Sequence, residues 1–212
     1  MDTLQAIVEN LKEGQASKVK ELVQAALDEG ASVEDVLNEG LIIGMTMVGK
    51  LFKESEIFLP EVLFAAKAME AGMEILQPLL LKAGGQKVKG KIVLGTVVGD
   101  VHSIGKGLVR IMLEGAGYKV NDLGVNVPPQ RFVDAAADGA QIVGMSALLS
   151  TTMQNMKPVI EALEEAGLKG QVKTMVGGAI VTQQYADEIG ADGYAPDAGS
   201  AVEKAKELLG LR

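Results

Sequence analysis

Beyond residue 90 the chain repeats one alternation five times: a short apolar run, then an amphipathic stretch. The runs are KIVLGTV, YKVNDLG, QIVGMS, VKTMVGG and ADGYA, and helical periodicity follows near 105–116, 129–138, 152–166, 181–189 and 198–209. Short apolar runs followed by a 3.6-residue period read as strands followed by helices. Five such units require a parallel sheet, because each helix returns the chain to the starting edge for the next strand. Right-handed crossovers then place helices on both faces. Five strands favour the order 2-1-3-4-5, with the ligand crevice at the carboxyl ends of strands 1 and 3, where the winding reverses.

The first 82 residues keep a different rhythm. Leu4, Ile7, Val8 and Leu11 mark one helical stripe, and Val19, Leu22, Val23, Ala26 and Leu27 a second. Gly14 and Gly30 stand where these helices end, and Ser32 with Asp35 resembles a capping box opening a third helix to about Phe52. Pro60 opens a fourth, with Leu63, Ala66, Met69, Met73 and Leu76 as its apolar positions and a break expected before Pro78. Met45, Met47, Met69 and Met73 read as core filler. The expected fold is therefore α/β: a four-helix bundle over 1–85, then a flavodoxin- or Rossmann-like five-stranded domain over 86–212. The polar, glycine-bearing segment AGGQKVKG (83–90) divides the two rhythms.

Composition removes several chemistries. The absence of cysteine excludes disulfides, thiolate nucleophiles and cysteine-based metal sites. A net charge of −8 argues against nucleic acid or an anionic membrane as partner. No apolar run is long enough to span a bilayer, and MDTLQAIVENLKEG has no signal-peptide core, so a cytoplasmic location is expected.

The chain has one histidine, His102, in GDVHSIGKG (99–107), the loop after strand 1. Asp100, two residues earlier, leaves an extended loop on the same side. It could accept the N–H of one ring nitrogen, fixing the tautomer and freeing the other nitrogen as base or ligand. Ser146, at the end of strand 3, could hydrogen-bond that carboxylate. A serine hydrolase would need a G-x-S-x-G elbow, which is missing, and a phosphate loop would need Ser or Thr where Gly107 stands. Zinc would need further protein ligands. A structural histidine bonded to Asp100 remains open on spacing alone.

Asp100-x-His102-x-x-Gly105, then Ser146-x-Leu148, then Gly177-Gly178, each at a strand end, resembles the signature of cobalamin-binding domains of the methionine-synthase type. GMTMVGKLFKESEIFLPEVLFAAKAMEAGM (44–73), with Phe58-Leu59-Pro60, resembles the helical cap of the same proteins. The short arrangement is similar to corrinoid methyl-carrier proteins of methylamine, methanol and aryl-ether methyltransferase systems.

That resemblance implies a corrinoid cofactor, methylcobalamin or cob(I)alamin, bound base-off with His102 as the lower axial cobalt ligand (His-on). Asp100 and Ser146 would form a relay behind it. Binding would involve Val101, Ser103, Ile104 and Gly105, then Leu148, Ser150 and Thr151, then Gly177, Gly178 and Ala179. Tyr194 and Ala195 would line the far end, and Phe58 would shield the methyl group. His102 would bind and release as the methyl arrives and leaves, and the cap would move aside about AGGQKVKG (83–90) as a hinge. The implied partners are a substrate-specific methyltransferase, a second methyltransferase passing the methyl to tetrahydrofolate or coenzyme M, and a reductive activator. Two other functions share these parts: a cobalamin-dependent sensor or regulator, and the small subunit of an adenosylcobalamin mutase. A flavodoxin-like module without corrinoid is the plainest alternative.

Overall fold

The computed structural model describes residues 3–82 and 88–211, in two compact units. Residues 83–87 of the expected hinge lie outside the described residues.

The first unit is helical. Helices α1 (Thr3–Lys12) and α2 (Ala16–Asp28) bury Ile7, Val8, Leu11 and Val19, Val23, Ala26, the stripes expected from periodicity. Ser32 caps α3 (Val33–Asp35) by accepting the Asp35 backbone N–H at 3.0 Å. The helical run from there to residue 53 is not uniform: a π-helical stretch (Val36–Ile42) separates α3 from α4 (Ile43–Lys53). Its wider turn puts Val36, Leu37, Gly40, Leu41 and Ile42 all inside.

Helix α5 (Leu59–Lys82) differs from expectation in two ways. It continues through Pro78, which costs one backbone hydrogen bond without ending the helix. Over its first turns the buried stripe is also offset by one position, to Val62, Ala65 and Ala68, while Leu63 is exposed; Leu76 is buried as expected. Small residues face inward here because the neighbour is close: a Cβ on Gly72 would stand 2.8 Å from a Leu41 methyl. Of the methionines read as filler, Met45 is buried and Met47 is exposed.

The second unit is the parallel sheet. Strands β1 (Lys91–Thr96), β2 (Lys119–Asp122), β3 (Ile142–Ser146), β4 (Lys173–Gly177) and β5 (Gly193–Ala195) lie in the order β2-β1-β3-β4-β5. The winding therefore reverses between β1 and β3, whose register runs from Ile92 opposite Ile142 to Thr96 opposite Ser146. The connections carry α6 (Ile104–Gly115), α7 (Pro129–Ala137), α8 (Ser150–Met153) with α9 (Met156–Glu165), and α10 (Gln183–Ile189); α11 (Ala198–Leu208) follows β5. Val93, Val143, Met145 and Val176 form one sheet face with Phe132, Val159, Ile160 and Ile189 of α7, α9 and α10. On β5, α11 approaches so closely that a Cβ on Gly193 would meet the Lys204 stem at 2.9 Å. The helix expected over 152–166 is broken at Gln154 and Asn155 into α8 and α9, which matters for the site.

At the amino edge, β4 and β5 are latched by one carboxylate. Asp192 accepts from the Thr174 backbone N–H (2.8 Å), the Thr174 hydroxyl (3.0 Å) and Lys173 Nζ (3.0 Å). Burial pushes this carboxyl up, but these bonds to the charged form outweigh it and hold it below the usual range. A lowered folded-state pKa contributes stability that is full above the unfolded value and is lost as pH falls through the folded one. Asp192→Ala is thus expected to cost about 1 kcal/mol at neutral pH, allowing for partial solvent screening. Urea midpoints should show the gap narrowing below about pH 4, the unfolded carboxyl value.

Candidate functional site

Residues 97–103, between β1 and α6, form the carboxyl-edge loop at the reversal of the sheet. Asp100 is 1% exposed, whereas the His102 side chain is 47% exposed. Oδ1 of Asp100 accepts the His102 backbone N–H at 3.0 Å and lies 2.7 Å from Nδ1 of the same residue. Oδ2 accepts the Leu148 backbone N–H at 2.8 Å and the Thr152 hydroxyl at 2.6 Å. Burial pushes the carboxyl up. The bonds from Leu148, Thr152 and His102 outweigh burial and hold it far below the ordinary carboxylate range. An ionised carboxylate only accepts, so Nδ1 is the donor, and in the neutral imidazole Nε2 then has a lone pair for another partner.

The hydroxyl behind Asp100 is that of Thr152, where sequence spacing pointed to Ser146. Ser146 ends β3, opposite Thr96 and Gly177, and its carbonyl accepts the Val97 N–H at 3.1 Å. Thr152 reaches Asp100 because α8 is a single turn, and Asn155 in the break donates to the Val98 carbonyl at 2.8 Å. The run Ser150-Thr151-Thr152 offered a hydroxyl in the sequence, but only the break in the helix selects which one.

The same sheet edge carries exposed apolar side chains. Val101 and Ile104 are 71% and 76% exposed, and Val125, Leu149 and Ile180 stand out from the connections after β2, β3 and β4. The last three were missed, because isolated apolar loop residues carry no motif. Exposed apolar groups on four adjacent connections at one sheet edge mark a surface built to be covered. Gly105 is exposed, and a Cβ there would meet nothing within 4 Å, so the space beside it is open.

Gly177 and Gly178 serve the chain itself: Cβ atoms there would stand 2.8 Å from the Ala195 carbonyl and 1.9 Å from the Ala147 carbonyl. Ser103 accepts the Gly107 N–H through its carbonyl at 2.7 Å and is exposed, as are Ser150, Thr151 and Ala179. Leu148 is half-buried, Ala195 is buried, and Tyr194 packs against the sheet core. Phe58 belongs to the helical unit. It is 67% exposed just before α5, and its N–H is accepted by Glu61 at 3.0 Å. Among the described residues no three His, Asp or Glu converge as a metal site, and no helix is long and apolar enough to cross a membrane.

An imidazole held at one nitrogen at the switch point of a doubly wound sheet, on an edge with exposed apolar side chains, is the arrangement of a cofactor-binding α/β protein. The sequence matches the family described as "B12 binding domain" over residues 90–203, and a second family of that description over 3–77. The chain belongs to the B12-binding corrinoid proteins. It is 45% identical to dimethylamine corrinoid protein 2 of Methanosarcina mazei, covering 99% of this chain and 100% of that one. A corrinoid protein of Desulfitobacterium hafniense is 46% identical, with 99% of both chains covered. Among solved structures, the methanol:cobalamin methyltransferase complex of Methanosarcina barkeri superposes with a TM-score of 0.87 at 32% identity, over 99% of this chain and 80% of that one. A cobalamin-binding protein from Desulfitobacterium hafniense gives 0.81 at 30% identity, over 97% and 98%.

Thr152→Val should leave Asp100 Oδ2 short of one bond and cost about 2 kcal/mol, the usual worth of a hydrogen bond to a charged group. Ser146→Ala should cost no more than about 0.5 kcal/mol. Urea unfolding of the cofactor-free protein checks both values.

Proposed function

We propose that this protein carries a methyl group on a corrinoid held base-off, with Nε2 of His102 as the lower axial ligand. The observation that carries this reading is the Asp100–His102 pair: Nδ1 is committed to a buried carboxylate at 2.7 Å, and the ring is half exposed at the switch point. A lone imidazole suits a metal whose remaining positions arrive with a macrocycle. When bound, the corrinoid supplies a cobalt centre that takes up and gives back the methyl group.

The chain's own residues orient and shelter. Asp100 fixes the tautomer and heading of the imidazole, while Thr152 and the Leu148 N–H hold Asp100. The open space at Gly105 suits the cofactor's displaced nucleotide tail, with Ser146, Leu148, Ser150 and Thr151 beside that path. Val101, Ile104, Leu149 and Ile180 suit the apolar rim of the macrocycle, and Ser103, Gly177, Gly178, Ala179, Tyr194 and Ala195 belong to the same carboxyl edge. Phe58, in a cap spanning 1–85 ahead of a cofactor domain spanning 86–212, is the aromatic assigned to shelter the methyl group.

The relatives support the choice of partners. Dimethylamine and trimethylamine corrinoid proteins, and a corrinoid subunit seen with its methanol methyltransferase, point to a substrate-specific methyltransferase as donor. A second methyltransferase passing the methyl to tetrahydrofolate or coenzyme M, a reductive activator and a cytoplasmic location complete the proposal.

The test is titration of the purified protein with hydroxocobalamin. The wild type should bind one equivalent with a base-off spectrum carrying the imidazole signature. His102→Ala should lose that signature and, with a methylamine:corrinoid methyltransferase, accept methyl at least tenfold more slowly. A wild type that binds no corrinoid would overturn the proposal.

A further inference from the structure

We propose that Asn126 is a positioning residue for cobalt ligation, holding the Asp100–His102 loop from the β2–α7 connection so that the imidazole is preset for the metal. The inference rests on the base-off, His-on reading above and names a residue that no motif of the sequence singles out.

The backbone at Asn126 is unusual. Its φ of +53° places a side-chain-bearing residue in the left-handed region, where asparagine is better tolerated than most. In that conformation it engages the histidine loop twice. Its Oδ1 accepts the Gly99 N–H at 2.8 Å, and its own N–H donates to the Asp100 carbonyl at 2.9 Å. Gly99 is itself left-handed, at φ +83°. The two contacts therefore clamp the turn that sends Asp100 inward. On the neighbouring side Asn155 donates to the Val98 carbonyl at 2.8 Å, and from below the Thr96 hydroxyl donates to the His102 carbonyl at 2.9 Å.

The connection that carries Asn126 is itself anchored. Lys106, buried in the first turn of α6, pairs with Asp122 at the end of β2, and Asp122 also accepts the Gly124 N–H at 2.9 Å. The Val127 N–H donates to the Thr96 carbonyl at 2.9 Å, and the Thr96 N–H to the Gly124 carbonyl at 3.1 Å. The loop bearing the ligand is thus braced by side chains from two flanking connections and from β1. A strained residue that braces such a loop, and makes no other polar contact among the described residues, is accounted for by the position it enforces. Axial coordination requires a nitrogen placed within a few tenths of an ångström, so slack in this loop should appear as a loss of ligation.

Two variants separate the side chain from the backbone. Asn126→Gly keeps the left-handed conformation and removes the acceptor. Asn126→Asp keeps an acceptor oxygen at the same place. In the cofactor-free protein, hydrogen exchange at the Gly99 amide should accelerate at least tenfold in Asn126→Gly and return towards wild type in Asn126→Asp. After loading with hydroxocobalamin, Asn126→Gly should still bind corrinoid, with the histidine-bound fraction lowered at least threefold and restored in Asn126→Asp. Asn155→Ala, which removes the brace on the other side from an unstrained backbone, should lower that fraction in the same direction and serves if Asn126→Gly does not fold. Wild-type Gly99 protection and histidine-bound fraction in Asn126→Gly would overturn the proposal. A failure of Asn126→Asp to restore them would also do so. Absence of histidine ligation in the wild type itself would instead remove the reading beneath it, which the wild-type spectrum alone reveals.

Discussion

The buried carboxylate of Asp100 is the constraint on which the rest of the site depends. An ionised carboxylate removed from water costs several kcal/mol unless its oxygens are hydrogen-bonded. Here each oxygen has two donors, drawn from the β1–α6 loop, the β3–α8 connection and the single turn α8. Those segments meet only where a parallel sheet reverses its winding, so the 2-1-3-4-5 strand order is a condition for burying this charge. The histidine inherits its orientation as one of the four donations.

Close backbone approaches make the meeting possible. Gly178 lets the β4 connection pass against Ala147, and Gly177 lets it pass against the Ala195 carbonyl. The approach at Gly178 is made against Ala147, the residue before Leu148, whose N–H Asp100 accepts. The glycine pair therefore acts on the site through packing, whereas Gly105 faces open space and acts by leaving room. Two glycine motifs that look alike in sequence do different physical work.

Much of this was legible in the sequence because period and position carry it. Alternating strand and helix periods gave the parallel sheet, and the reversal rule placed Asp100 and His102 at its edge. What escaped depends on local geometry that no period reports. The stripe on α5 shifted by one residue because Ala65, Ala68 and Gly72 allow close helix contact, which outweighs the larger Leu63 and Met69. Pro78 sits within the helix, where the burial of Leu76 and Leu80 on either side offsets the lost backbone bond. Thr152 replaced Ser146 behind Asp100 because α8 stops after one turn. Asn126 was silent for a related reason: its function follows from a left-handed φ, and only coordinates show one.

The single histidine makes the central claim directly measurable. Protein grown with ¹⁵N-labelled histidine, loaded with unlabelled cobalamin and poised as cobalt(II), reports its axial nitrogen in the superhyperfine splitting of the EPR spectrum. The account predicts doublets, from a spin-½ nitrogen that only His102 can supply. Triplets surviving the label would assign the axial nitrogen to the cofactor's own base, and unsplit lines would show no axial nitrogen. Either result would contradict a cobalt held by the Asp100-oriented imidazole.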